Sequence, residues 1–238
     1  MADTVKSRKD DLNQHLKVEV LTLGLRPGSD LDEAYYAQQF ALSRTPLREV
    51  FRQLAGDGYL EVHPNRGVRV AEMSHTSLRD FFLAAPMIYG AVLRLAALHA
   101  TQAQLADLQS AQETFRKALA SGSGPDRALA NNRFHEITGE MCGNTYLLPS
   151  FQRLLIDHAR ISMTFYQPHG DPSSQSTAAD HHDDIITAIA NRDADAAAQL
   201  ADAHWNLSRG EIESFVMPTP LDVPLGVLPT TDTNKAKT

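Results

Sequence analysis

Four polar side chains in the second half of the chain have the types and spacing of a metal site. Asn131 and His135 lie at positions i and i+4, so both project from one face of a predicted helix. His182 lies on the next helix but one, and His204 lies on the last helix beside Trp205. Three imidazoles that converge from three helices could bind a divalent transition metal, with zinc or nickel as the first candidates. Such a site would keep positions open for water or an anion.

Other interpretations of these histidines remain open. They could be three unrelated helical residues, each satisfied by a hydrogen bond, in a helical dimerisation module that binds no ligand. The run 181–184, His-His-Asp-Asp, could attract a metal at the surface, and His158 could line the same cavity from its own helix. A metal-dependent hydrolase would need a general base near the metal. Glu136 and Asp183 adjoin the candidate ligands, but adjacent residues of a helix point to different faces, which disfavours an enzyme.

Residues 43–70 point to a second kind of chemistry, the recognition of DNA. Arg44, Thr45 and Arg48 lie at the front of a predicted helix, where arginine can reach guanine and threonine can reach phosphate or a thymine methyl. A hairpin with a basic, glycine-containing tip follows and could contact the neighbouring backbone or minor groove. The segment has five arginines and three acidic residues, a local charge of +2, although the chain has a net charge of −7. A modest basic patch on an acidic body is typical of a regulator with limited non-specific DNA binding.

The hydrophobic periodicity predicts a mainly α protein in two domains, followed by a tail. Residues 10–73 have the pattern of a winged helix-turn-helix, with helices over about 12–23 and 32–40, a third helix opened by Ser43, and a small β-hairpin. Residues 77–216 predict an all-α antiparallel bundle, in whose first helix Pro86 should cause a kink or a break. Residues 217–238 contain several prolines and are predicted to form a flexible tail.

Composition favours a cytoplasmic protein. The chain has 238 residues and an apolar fraction of 42%, as soluble globular proteins do. We find neither a secretion signal nor an apolar run long enough to span a bilayer. The single cysteine, Cys142, cannot form an internal disulfide, which fits a reducing compartment.

The N-terminal domain resembles the GntR family of bacterial transcription regulators. The matching residues are, in chain order, Leu25-Arg26-Pro27-Gly28 with Leu31, Ser43-Arg44-Thr45-Pro46-Leu47-Arg48-Glu49-Val50, Leu54-Ala55, Gly58-Tyr59-Leu60 and Pro64-Asn65-Arg66-Gly67. The helical second domain resembles the FCD domain of the FadR branch of this family. The resemblance implies a homodimer on double-stranded operator DNA, and a repressor that a small-molecule effector releases.

The resemblance also implies roles for individual residues of the first domain. Arg44 and Arg48 would read bases, and Ser43 and Thr45 would contact phosphate. In the wing, Arg66 and Gly67 match the family's minor-groove contact, with His63 and Asn65 as weaker candidates. Ala34 replaces an arginine that binds phosphate in some relatives, so we expect that contact to be missing.

In the second domain, the FCD resemblance implies that Asn131, His135, His182 and His204 are the metal ligands. The resemblance selects His182 over its neighbour His181. Asn131 stands where the family usually has an aspartate, so the ligand set carries no charge. Many relatives carry an arginine and a glutamate on the first helix of this domain, at the positions of Ala85 and Tyr89 here. An arginine there would hold a carboxylate effector beside the metal. The candidates to replace it as effector-binding residues are Arg94, Arg153 and Arg160.

Overall fold

The structure is a computed structural model that describes residues 2–64, 66–166 and 172–216. The expected tail at 217–238 and the wing residue Asn65 lie outside the described residues. In chain order the elements are α1 (Ala2–Leu21), β1 (Asp30–Leu31), α2 (Glu33–Gln39), α3 (Arg44–Asp57), β2 (Leu60–His63), β3 (Gly67–Val70), α4 (His75–His99), α5 (Gln102–Ser121), α6 (Gly124–Cys142), α7 (Leu147–Phe165), α8 (Pro172–Ala190) and α9 (Ala194–Val216). The predicted mainly α fold class is confirmed.

The first part of the chain forms three helices against a small antiparallel sheet. The strand order is β1-β3-β2, and the register pairs Leu31 with Val68 and His63 with Gly67. β1 was absent from the sequence-based expectation because two residues are too few to show an alternating pattern. The sheet joins the wing to the start of α2, which fixes the wing relative to the helices.

The expectation that α1 begins near residue 12 was wrong. The helix begins at Ala2, although its first residues are polar. The Arg8 guanidinium donates to the Ala41 carbonyl at 3.1 Å, and Lys9 pairs with Glu49 at 2.8 Å. These contacts fix the second and third turns of α1 against the α2–α3 region, so polar residues that would fray in isolation remain helical.

We expected Pro86 to kink or break the first helix of the bundle, but the helix is not broken there. α4 is one continuous helix from His75 to His99. Residues on both sides of Pro86, including Phe81, Ala85 and Tyr89, are buried in the core of the bundle. This packing offsets the loss of one backbone hydrogen bond at the proline.

The expectation that no apolar run could span a bilayer does not hold for α4, which is long and apolar enough to cross one by length and composition. Its most apolar window has a mean hydropathy of 1.8, and 39% of that window is buried. The buried face packs against α6, α7 and α9, as expected of a core helix in a soluble bundle. The opposite face carries exposed apolar side chains, including Leu83, Met87 and Leu98.

α7 packs into both parts of the molecule. Ile156 and Ala159 belong to the apolar core of the first domain, although α7 is a helix of the bundle. The fully buried Arg160 donates from Nη1 to the Ala71 carbonyl just after β3, at 3.1 Å. Gly58, which ends α3 at a φ of +92°, leaves space for Arg153, since a Cβ there would lie 2.4 Å from Cδ of that arginine.

Candidate nucleic-acid interface and metal centre

The front of α3 presents its polar residues to solvent. The helix buries Leu47, Val50, Phe51 and Leu54 on one side, which leaves Arg44, Thr45 and Arg48 exposed on the other. Ser43 occupies the N-cap position in extended conformation, but its side chain makes no capping hydrogen bond. The Ser43 hydroxyl is therefore available to a partner outside the protein, as a phosphate contact requires.

Arg48 is held in place by α2. Its Nε donates to Glu33 Oε2 at 3.1 Å, and its side chain remains 56% exposed. An ion pair this exposed contributes little stability, so a DNA base or phosphate could replace Glu33 at small cost.

The wing lies beside this helix. Arg66 and Gly67 are exposed at its tip, and Gly67 has a φ of +85° with open space around a Cβ position. His63 is half-exposed and its Nε2 lies 3.2 Å from Glu61 Oε2. Arg48 and His63 line one cleft of about 410 Å³ between α3 and the wing. Arg69, which contributed to the local charge in the sequence, is neutralised by Asp30 at 2.5 Å.

Three of the four predicted metal ligands meet inside the helical bundle. His135 comes from α6, His182 from α8 and His204 from α9, and one ring nitrogen of each lies within 4.8 Å of the others. All three side chains are buried. His182 and His204 have ring centroids 4.8 Å apart, and the His135 centroid lies 5.1 and 5.2 Å from them.

The electrostatics of the cluster suit metal coordination. Burial, reinforced by the neighbouring imidazoles, holds the pKa of His135 and of His182 well below the ordinary value and lowers the pKa of His204 to about 3. The three rings are therefore neutral at pH 7, the state in which a ring nitrogen has a lone pair for a metal.

Each of these histidines has a buried nitrogen without a hydrogen-bond partner. The atoms are Nε2 of His135, Nε2 of His182 and Nδ1 of His204. Buried polar atoms are almost always satisfied, so an unsatisfied nitrogen on each of three neighbouring histidines requires an explanation. A zinc-like ion bonds imidazole nitrogen at about 2.0–2.1 Å, so a small inward movement of the rings would satisfy all three. The residues present fit a transition metal.

Gln112 on α5 orients His182, and sequence reasoning missed it. The Gln112 amide nitrogen donates to the Ala179 carbonyl at 2.7 Å and to Asp183 at 2.9 Å. Its oxygen therefore faces His182 Nδ1, 3.0 Å away, and accepts a hydrogen bond from it. That tautomer leaves the lone pair on Nε2, the buried nitrogen that has no hydrogen-bond partner.

The fourth predicted ligand, Asn131, is buried on the same helix as His135. Its Oδ1 accepts a hydrogen bond from the Tyr166 hydroxyl at 3.2 Å. An amide oxygen has two lone pairs, so this contact orients the group and leaves one lone pair for another partner.

The three arginines predicted to bind an effector have other contacts. Arg94 pairs with Asp195 at the surface at 2.5 Å. Arg153 lies against Gly58, and its Nη1 is 3.9 Å from Oδ2 of Asp157. Arg160 pairs with Asp157 under the first domain. Each of the three side chains therefore has a partner within the protein, and its effector-binding role stays a prediction.

A histidine and a tyrosine border the cluster instead. The His158 ring centroid lies 4.8 Å from that of His135, and the Tyr89 hydroxyl lies 2.6 Å from His158 Nδ1. Burial raises the pKa of the Tyr89 phenol well above its ordinary value and lowers the pKa of His158 to about 4. Both groups are therefore neutral at pH 7, and both are polar groups next to the candidate metal ligands.

Known proteins match both parts of the chain. Residues 8–70 match the gntR family of bacterial regulatory proteins, and residues 86–207 match the FCD domain family. The HTH-type transcriptional repressor RspR of Escherichia coli (strain K12) is 25% identical over 189 residues, which are 79% of this chain and 82% of that protein. The galactonate operon transcriptional repressor of the same strain is 28% identical over 214 residues, covering 76% of this chain and 90% of that protein.

Solved structures share the fold. The structure of E. coli McbR/YncC aligns with a TM-score of 0.74 at 18% identity, over 88% of this chain and 98% of that one. A regulator described as GntR from Rhodococcus sp. RHA1 aligns with a TM-score of 0.67 over 87% of this chain and 97% of that one, at 17% identity. The two family matches, together with the exposed arginines of α3 beside a wing, identify the chain as a member of the GntR family with an FCD domain. The chain is therefore a DNA-binding transcription regulator and not an enzyme.

Proposed function

We propose that this regulator is a homodimeric repressor whose operator affinity responds to a small molecule bound at a metal in the FCD domain. Two observations support the metal: one ring nitrogen of each of the three buried histidines lies within 4.8 Å of the others, and each histidine has a buried ring nitrogen without a hydrogen-bond partner. Zinc and nickel suit a set of neutral imidazoles. Such a metal would supply a Lewis-acidic position at which an anionic ligand can bind.

The exposed face of α4 supports the homodimer. Leu83 is 67% exposed and Met87 is 71% exposed, and Gly90 continues the same face with open space at its Cβ position. A long apolar stripe interrupted by glycine suits close helix packing against a second copy of the chain. Two copies related by a two-fold axis would place two α3 helices on a near-palindromic operator.

α7 supports coupling between the effector and the operator. It carries His158 beside the metal ligands, and it contributes Ile156 and Ala159 to the core of the DNA-binding domain. A ligand that favours one placement of α7 would favour one placement of α3, and DNA would favour a placement as well. The two affinities would then be linked reciprocally, in the cytoplasm where the operator lies.

Metal analysis of the purified protein tests the centre. After incubation with zinc or nickel and removal of free metal, the wild type should retain about one ion per subunit. His135→Ala and His182→Ala should retain far less, whereas the exposed His75→Ala should behave as the wild type does. A wild type that stays metal-free would refute the ligand set.

Oligomeric state and operator binding test the dimer. Met87→Glu places a charge in the proposed interface and should shift the protein to a monomer in sedimentation or light scattering. The exposed Gln109→Glu on α5 is the matched control and should stay dimeric. A Met87→Glu protein that remains dimeric would locate the dimer contact elsewhere.

A further inference from the structure

A cleft lies between the DNA-binding domain and the helical bundle, and it shares no residue with the histidine cluster. It has a volume of about 280 Å³. Lys17, Asp57 and Tyr59 line it from the first domain, and Asn132 and Glu136 line it from α6. A neighbouring cavity of about 390 Å³ is lined by all of these residues except Asp57. A molecule bound in the cleft would therefore contact both domains.

The clearest indication of a ligand is the amide of Asn132. The residue is only 4% exposed, although it lines both cavities. Its Nδ2 donates to Glu136 Oε1 at 2.8 Å, which fixes the orientation of the amide, and its Oδ1 has no hydrogen-bond partner. A buried amide oxygen without a partner is rare, because nothing compensates its loss of hydration. The amide therefore has an acceptor to offer, and the group that satisfies it must be a hydrogen-bond donor.

The charge of the cleft favours a cation. Its acidic residues are Asp57, Glu136 and Glu140. Lys17 Nζ lies 3.7 Å from Asp57 Oδ2, and Arg133 Nη1 lies 3.2 and 2.8 Å from the two glutamates. Three carboxylates and two basic groups leave a charge of −1, which a single positive charge would balance.

A metal ion does not fit this arrangement. Within residues 2–64, 66–166 and 172–216, the histidine cluster is the only group of three or more His, Cys, Asp and Glu side chains close enough to hold an ion. Each carboxylate of the cleft also has a basic partner already. A larger cation with several N–H donors suits the space, the charge and the free acceptor better than a bare ion does.

The rest of the wall is apolar and aromatic. α7 contributes Leu148, Phe151 and Leu155. The Lys17 ammonium lies 5.2 Å from the centroid of the Tyr59 ring, so this ring already accommodates a cation. Burial, reinforced by nearby carboxylates, raises the pKa of Tyr59 to about 12, so the phenol is neutral at pH 7 and adds no charge. Such a wall suits a small apolar body attached to the cationic group.

We infer that this cleft is a second ligand site, which binds a small primary amine in its protonated form and thereby adjusts operator affinity. The ammonium would donate to Asn132 Oδ1 and to the Glu136 carboxylate, and the apolar body would lie against Phe151 and Leu155. Because its walls come from both domains, the cleft with its occupant would favour one placement of the DNA-binding domain on the bundle. The inference goes beyond the proposed metal centre and does not depend on it.

Calorimetric titration with benzylamine and with benzyl alcohol tests the site. The two probes have the same apolar body and differ in charge. The amine should bind roughly tenfold or more tightly than the alcohol, the gain expected for hydrogen bonds from a charged donor. Protein treated with a chelator should bind the amine as untreated protein does, since the site needs no metal.

Two variants locate the bound amine. Asn132→Leu replaces the amide with an apolar group of similar size, and Glu136→Gln removes a charge and keeps the shape. Each should lower the affinity for benzylamine roughly tenfold or more. Glu113→Gln, which removes an exposed carboxylate of α5 outside the cleft, is the matched control and should bind as the wild type does. Because the Glu136 side chain is partly exposed, its variant gives a result even if Asn132→Leu folds poorly.

Operator affinity tests the regulatory role. Saturating benzylamine should change the operator affinity of the wild type by about fivefold or more, the lower end of typical coupling between two sites. Glu136→Gln at the same amine concentration should show no such change, and Glu113→Gln should respond as the wild type does.

Three results would overturn the inference. Equal affinities for the amine and the alcohol would show that the cleft does not select a cation. Unchanged amine affinity in both cleft variants, or its loss after chelator treatment, would place the amine elsewhere. Operator affinity within about twofold at saturating amine would leave the site without a regulatory role. None of these measurements requires metal uptake, so their failure is distinguishable from failure of the metal centre.

Discussion

The two functional regions differ in how they meet their partners. The front of α3 and the wing tip present arginines to solvent, and Arg48 has only an exposed ion pair to exchange for DNA. The histidine cluster is buried, and each of its three histidines has a buried nitrogen without a hydrogen-bond partner. A site for a large external partner is built from residues close in sequence, whereas a site for an internal ligand is assembled from helices far apart. Substitutions in the two regions should therefore fail in different ways.

The largest effect, on operator affinity, is expected at the exposed front of α3. Replacing both Arg44 and Arg48 with alanine should weaken specific operator binding about a hundredfold or more, since each arginine that reads guanine contributes about 1–3 kcal/mol of discrimination. Binding assays with operator and with unrelated DNA measure the effect. Arg79→Ala, at an exposed arginine that pairs with its neighbour Asp80 at the start of α4, is the control. Retained specificity in the double variant would show that another surface reads the operator.

The junction between the regions should give the next largest effect, on stability. Arg160→Met removes the cation beside the buried Asp157 carboxylate, whose pKa burial raises, and should destabilise the protein by about 3 kcal/mol in denaturant unfolding. The double variant Arg160→Met with Asp157→Leu should recover most of that loss, because neither buried charge then remains. Equal losses in the single and double variants would indicate that Arg160 acts through its contact with Ala71 instead.

A smaller effect, on metal affinity, is expected at Gln112, which hydrogen-bonds to His182 of the cluster. Gln112→Ala removes the acceptor that fixes the His182 tautomer and should weaken metal affinity by roughly 10–100-fold. Competition with a chromogenic chelator measures it, and the exposed Gln109→Ala on the same helix should have no effect. Unchanged affinity in Gln112→Ala would mean that the bundle positions His182 by packing alone.

The smallest effect is expected at the wing tip. Arg66→Ala should lower operator affinity by about fivefold and reduce the salt dependence of binding by about one ion, as expected for one lost phosphate or minor-groove contact. Affinities measured at several salt concentrations provide both values. A change in sequence preference without a change in salt slope would show a base contact instead.

The sequence predicted the DNA-binding region more completely than the cluster. Arg44, Arg48 and the glycine at the wing tip lie within a segment of fewer than 30 residues, so a local sequence pattern is enough to predict where they lie in the fold. The three histidines could be predicted by type, but Gln112 could not, because it meets His182 only after α5 packs on α8. The beginning of α1 was missed for the same reason, since Arg8 and Lys9 are held by residues more than 30 positions away.

The two domains are separate in the sequence, but they share part of one core because α7 packs into both. The chain passes from the DNA-binding domain to the bundle between Val70 and His75, yet Ile156 and Ala159 complete the core of the first domain from α7. A chimera that joins this DNA-binding domain to the helical domain of a relative would keep the linker and lose part of the core. Exchange of domains among such regulators therefore requires residues 156–160 to be exchanged together with the first 74.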